Sequence, residues 1–175
     1  MLPWIKDLRT LVRQETGSDQ MVCVLATADS SGRPSARCML LRKIDDGGAL
    51  LFVSDRKTAK DDQLRARPEC ELVFWLPSQS TQVRIKGRGV MVDAEVDAWS
   101  REHWWRDIST SNRSNFIETT TAAPTDEQQA RARASTAFDS DMPATFEMLA
   151  IYADHVEITD SRTNPQTRQT YMGHD

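Results

Sequence analysis

Histidine and cysteine are both scarce in this chain, and neither falls into a metal-binding pattern. The three histidines, His103, His155 and His174, are scattered without paired ligand spacing, which argues against a zinc site. The three cysteines, Cys23, Cys38 and Cys70, are odd in number, lack CxxC spacing and sit inside apolar runs. All three are expected to be buried, reduced thiols. No apolar run is long enough to span a bilayer, and Met1 to Asp7 carries no basic-then-apolar leader pattern. The expected address is therefore the cytoplasm, with no membrane partner. A strong charge excess is also missing: the net charge of −4 argues against a general nucleic-acid binder. No acid–base dyad, internal repeat or domain linker is recognisable.

What remains is ordinary globular material. With 175 residues, 39% hydrophobic and 27% charged, the chain can bury a core without staples, and one domain over residues 1–175 is expected. Residues 3–15 place Ile5, Leu8, Leu11 and Val12 on one face behind Pro3, which predicts an amphipathic helix ended by Gly17. Met21 to Ala28 is a short apolar run, read as a strand buried on both faces. Turn clusters at 29–34 and 45–48 then separate strands over 35–44 and 49–54. A polar helix follows from Lys57 to Ala66, stopped by Pro68. Strands are predicted over 70–76 and 81–91, the second with Gly87 and Gly89 marking a bend or bulge. Asp93 is read as the cap of a helix reaching Trp105 and carrying Trp99, His103 and Trp104. Residues 109–143 are weakly specified, with a short helix expected over 127–134. Two last strands, 146–152 and 155–159, are expected either side of an Ala153-Asp154 turn, and the tail from Asp160 reads as irregular. The fold class is mainly β (α+β), a six- to seven-stranded antiparallel barrel with flanking helices.

One stretch carries chemistry. The run Arg37-Cys38-Met39-Leu40-Leu41-Arg42 is a strand with a guanidinium at each end of an apolar segment. The next strand runs out through Val53 and Ser54 into a helix start with Thr58 and Lys60. Arg presents a planar fork to phosphate oxygens, Lys adds a point charge, and a helix N-terminus adds free N–H groups. Two cations and two hydroxyls gathered there could hold a phosphate.

These residues resemble the pyridoxamine 5'-phosphate oxidase family, whose fold is the FMN-binding split barrel. The resemblance runs from about Leu2 to Trp105 and resumes weakly from Phe146. The family's phosphate strand is matched by Arg37 to Arg42, with Arg in place of the closing Lys. Its Tyr-Thr pair is matched by Val53-Ser54, its Ser-Arg-Lys by Thr58-Ala59-Lys60, and its Arg-Gln-Val by Thr81-Gln82-Val83. The resemblance implies that Arg37 and Lys60 bind the FMN phosphate, with Ser54 and Thr58 nearby. It implies that Cys38, Met39, Leu40 and Leu41 line the flavin ring and that Arg42 sits near both flavin and substrate. It further implies a homodimer with FMN at the interface, Gln82 reaching the partner's flavin. The family's C-terminal Arg-Leu-His-Asp-Arg block is absent, and the tail instead reads Arg162-Thr163-Asn164-Pro165-Gln166-Thr167-Arg168.

The resulting expectation is an FMN-dependent oxidoreductase acting on a small molecule other than a vitamin B6 phosphate. The alternatives are a flavin-binding module without turnover and a barrel of the same architecture using haem or a deazaflavin. Residues with simpler readings are weighed alongside: Cys38 as packing, and Trp99, Trp104 and Trp105 as core or dimer contacts.

Overall fold

The structure, a computed structural model, describes residues 1–92, 94–109, 113, 116 and 142–173, without the side chains of 94–96, 98 and 99. Helix α1 (Pro3–Thr16) begins on a proline that is pre-set for the first turn and ends on Gly17 in the left-handed region at φ 70°. Its apolar stripe buries Trp4, Ile5, Leu8 and Val12. The strands are β1 (Met21–Ala28), β2 (Pro34–Leu41), β3 (Lys43–Ile44), β4 (Ala49–Asp55), β5 (Glu69–Leu76), β6 (Thr81–Val92), β7 (Phe146–Asp160) and β8 (Thr167–Met172). Helix α2 (Ala59–Ala66) joins β4 to β5, and α3 (Ala94–Asp107) follows β6.

The strands pair antiparallel in the order β2-β1-β5-β6-β7-β4-β3, with β8 added beside β7. Because β2 and β3 are successive pieces of one run, broken at Arg42, the path returns to its own start. This is the expected split barrel. At the break, the Arg42 N–H donates to the Leu51 carbonyl at 2.9 Å, so the kinked residue still ties the barrel together. Leu25, Leu41, Phe52, Phe74, Ile85 and Leu149 fill the interior together with the α1 stripe. The C-terminal strand is fastened to α1: the Trp4 indole donates to the Gly173 carbonyl, and the Tyr171 hydroxyl donates to Asp7.

Several expectations change in detail, each for a physical reason. The run 35–44 is two strands, because it pairs with β1 before Arg42 and with β4 after it. The expected turn at Ala153-Asp154 is a bulge inside the continuous β7, opposite Lys86 and Gly87. Glycine is required there, since a Cβ on Gly87 would lie 2.2 Å from the Tyr152 carbonyl oxygen. The tail is not irregular, because residues 167–172 pair with the far half of β7, which extends beyond β4. Among the described residues that makes eight strands, of which the barrel wall uses six strand positions, β2 and β3 sharing one and β8 lying outside it. Strand β1 is not buried on both faces: Val22 is 57% and Val24 38% exposed. Cys23 and Cys70 are buried as expected, but Cys38 is exposed, because its position in β2 points outward. Helix α3 is interrupted at Asp97, whose carboxylate accepts from the Ser100 N–H at 2.9 Å as a cap does. The expected cap Asp93 and the helix over 127–134 lie outside the described residues.

Candidate functional site

The period-two alternation of β2 directs Arg37, Met39 and Leu41 inward and Cys38 and Leu40 outward. Leu41 is buried in the core and Met39 is half-buried against it, so Leu41 has only its backbone left for a ligand. Arg37 sits nearer the strand's start, opposite Leu25 of β1, where helix α2 covers the wall. Its Nη1 donates to the Thr27 hydroxyl at 2.6 Å and the Leu25 carbonyl at 3.2 Å, and its Nη2 donates to Gln63 Oε1 at 3.0 Å. Gln63 lies on α2, one turn beyond Lys60.

The start of α2 brings up the second cation. The Thr58 hydroxyl donates to the Asp55 carbonyl at 2.7 Å rather than capping the helix, and it accepts from Lys60 Nζ at 2.6 Å. Burial holds the Lys60 ammonium below its usual range; the nearby Arg37 pushes the same way, and Asp55 and Asp61 oppose it. Burial likewise lowers Arg37. Both ionise far above neutral pH in water, so the region carries two close positive charges. Neither cation forms an ion pair among the described residues. Ser54, 2% exposed on β4, has a buried hydroxyl with no hydrogen-bond partner among the described residues.

Arg42, at the break between β2 and β3, has a buried Nε with no hydrogen-bond partner among the described residues. Burial lowers its pKa, and Asp107 at the end of α3 counteracts this. Val53 faces a satellite apolar cluster of Trp105, Ile108 and Phe146, with Trp104 packed against it. Trp105 is thus a packing residue, and the side chain of Trp99 lies outside the described set. Gln82 is not brought to Arg37. It lies on β6, three strands from β2, beside Trp75 on β5.

Five residues of this region escaped the sequence reading: Thr27, Gln63, Asp61, Arg65 and Glu147. Arg65 of α2 donates to Asp61 at 2.9 Å and to both oxygens of Glu147 on β7 at 3.0 Å. Both carboxyls are 1% exposed. The Asp61 and Arg65 spacing of four residues was legible as a helical ion pair. Nothing local marks Glu147, which is 82 residues further on.

A sequence model described as the FMN-binding domain of pyridoxamine 5'-phosphate oxidase matches residues 1–93, more than half of the chain. The chain belongs to that family. It is 40% identical to a pyridoxine/pyridoxamine 5'-phosphate oxidase of Chromohalobacter salexigens over 84 residues, which are 48% of this chain and 39% of that enzyme. The match therefore spans well under two thirds of the relative's length. A pyridoxamine 5'-phosphate oxidase-related, FMN-binding protein of Nostoc punctiforme superposes with a TM-score of 0.83 at 23% identity, over 98% of this chain and 92% of that one. PhzG of Burkholderia lata, solved with tetrahydrophenazine-1-carboxylic acid, superposes at 0.80 and 17% identity, over 98% and 91%. At those identities the superpositions establish the split-barrel fold.

Set against the pyridoxamine 5'-phosphate oxidase family, the donor set fits a phosphate. Among the described residues, two cations outside any ion pair, a serine hydroxyl with no hydrogen-bond partner and a helix start with no side-chain cap suit a dianion. The tail does not offer a second such grip. Arg162 is held in a fork by Asp160, and Arg168 faces Glu157 at 3.5 Å, so both guanidiniums already have carboxylates. Among the described residues, no helix is long and apolar enough to cross a membrane.

Proposed function

We propose that the chain is an FMN-dependent oxidoreductase that works as a homodimer on a small molecule other than a vitamin B6 phosphate. The observation that carries this reading is the meeting of Arg37 and Lys60 beside α2, neither of them in an ion pair among the described residues. Arg37, Lys60, Thr58 and Ser54 would hold the FMN phosphate, while the backbone of residues 38–41 and Arg42 would border the ring. FMN, when bound, supplies hydride and electron transfer, so the protein's part is to bind, orient and exclude water. That division of labour needs no acid–base dyad. The paired state of Arg162 and Arg168 and the missing Arg-Leu-His-Asp-Arg block argue against vitamin B6 phosphates as substrates.

The dimer is supported by the outer wall. Val22 and Val24 of β1 and Trp75 of β5 form an exposed apolar surface, with Cys38 and Leu40 of β2 beside them. Such a surface suits a second copy of the chain. Gln82 stands next to Trp75 on this wall, where it could serve a site in the partner but not its own.

The test begins with the visible spectrum of the isolated protein. Flavin absorption that NADH or NADPH bleaches and air restores supports the enzyme. Flavin unchanged by a panel of reductants indicates a carrier, and a haem spectrum overturns the FMN reading. In a fluorescence titration, the double change Arg37→Ala, Lys60→Ala should cost more than about 2 kcal/mol of FMN affinity, since charged hydrogen bonds contribute roughly 1.5–3 kcal/mol each. Unchanged affinity would remove the phosphate assignment.

A further inference from the structure

An arginine can be anchored by carboxylates or by neutral acceptors, and the choice decides what its charge is free to do. Among the described residues, Arg37 is anchored only by neutral groups. The Thr27 hydroxyl accepts from Nη1 and itself donates to Gln63 Oε1 at 2.6 Å, and that same oxygen accepts from Nη2. Thr27 and Gln63 are therefore joined side by side and grip the two terminal nitrogens together. The Leu25 carbonyl takes a further Nη1 proton. Arginine can only donate, so this contact also fixes the orientation of the Gln63 amide, oxygen toward Arg37. Of the five guanidinium N–H groups, three are thus engaged. The two left over, Nε–H and the second Nη2–H, lie along one edge of the plane. That is the edge used for bidentate recognition of carboxylate and phosphate.

We propose that Thr27 and Gln63 are positioning residues. They hold Arg37 by its terminal end through uncharged acceptors, so that its charge and its Nε/Nη2 edge are kept for the phosphate of the bound cofactor. The inference rests on the FMN reading of the site and goes beyond it, because it assigns a role to two residues outside the family's phosphate strand. It also accounts for glutamine at position 63. A glutamate there would keep the shape and the acceptor but would pair with Arg37 and cancel the charge. Gln63 is carried on the same helix as Lys60, so the turn of α2 that delivers one cation also aims the other.

The experiment compares FMN with riboflavin, which lacks the phosphate, by flavin-fluorescence titration at pH 8 in wild type, Gln63→Glu, Gln63→Met and Thr27→Val. Wild type should prefer FMN. Gln63→Glu should weaken FMN by about 30-fold or more, on the scale of a lost charged hydrogen-bond pair, and leave riboflavin within about 2-fold. Gln63→Met and Thr27→Val, which free the guanidinium without cancelling its charge, should weaken FMN by about 3- to 10-fold and again spare riboflavin. Should Gln63→Glu fail to fold, the latter two carry the comparison. Equal losses for FMN and riboflavin would show a packing role and overturn the inference, as would FMN binding unchanged in all three variants. A wild type with no preference for FMN overturns the phosphate reading of the site itself, an outcome distinct from the other two.

Discussion

Replacing Arg65 by methionine should destabilise the protein by about 3 kcal/mol at neutral pH, the lower end of the cost of breaking a buried ion pair. The magnitude follows from what Arg65 holds. It donates at 2.9–3.0 Å to two carboxyls, Asp61 and Glu147, that are almost wholly shielded from water. Without it the two acids face each other, with Arg56 3.6 Å from Glu147 and largely solvated, and with Lys60 acting on Asp61 from the other side. The lower end applies because the Arg65 side chain is itself 36% exposed and part of its attraction is screened. For a chain of this size, about 3 kcal/mol corresponds to a fall of roughly 6–12 °C in Tm. The assay is urea unfolding at fixed protein concentration, followed by tryptophan fluorescence, at pH 5 and pH 8. The loss should be larger at pH 8, because the freed acids can relieve their repulsion at lower pH by taking up a proton. A loss below about 1 kcal/mol at both pH values, in the range of a surface ion pair, would refute the view that Arg65 locks α2 to β7.

Two further outcomes follow from the same residues and from the outer wall. Burial holds the Glu147 carboxyl above its usual range, the hydrogen bond its protonated form donates to Asp61 and the negative charge of Asp61 add to this, and Arg65 pulls it back. The folded state therefore keeps a proton that the unfolded state releases at about pH 4.3. The stability gained from that proton is fully present below this pH and is lost as pH rises toward the raised value. Glu147→Gln, which mimics the protonated form, should remove this component, so its stability should improve relative to wild type from pH 4 to pH 8; parallel urea profiles would contradict it. Val24→Asp places a charge in the exposed apolar patch of β1 and should give a monomer in sedimentation velocity, with FMN affinity reduced. A dimer that persists with full affinity would put the partner surface elsewhere.

Much of this was legible in local pattern. The amphipathic spacing of Ile5, Leu8 and Val12 marks α1, and the alternation from Thr81 onward marks β6. The guanidinium-flanked run from Arg37 to Arg42 marks the strand at the candidate site. The helix start with Thr58 and Lys60 was equally visible, because a turn from strand to helix leaves a composition change on a few adjacent residues. Such features are short-range: they depend on which residues share a strand face or a helix turn, and sequence spacing states that directly.

Other features depend on which segments meet. Whether Val22 and Val24 are buried depends on what packs against the outside of β1, and an apolar run looks the same either way. The tail became β8 because β7 runs past β4 and leaves backbone groups to be paired, a matter of relative strand length. Glu147 and Arg65 find each other only once the fold brings the start of β7 within reach of the α2 side chains. Above all, Arg37 is readable as a cation in a strand, but its freedom from carboxylates is not. That property comes from the fold setting Thr27 of one strand and Gln63 of a helix around it, two neutral side chains where an acid would have cancelled its charge.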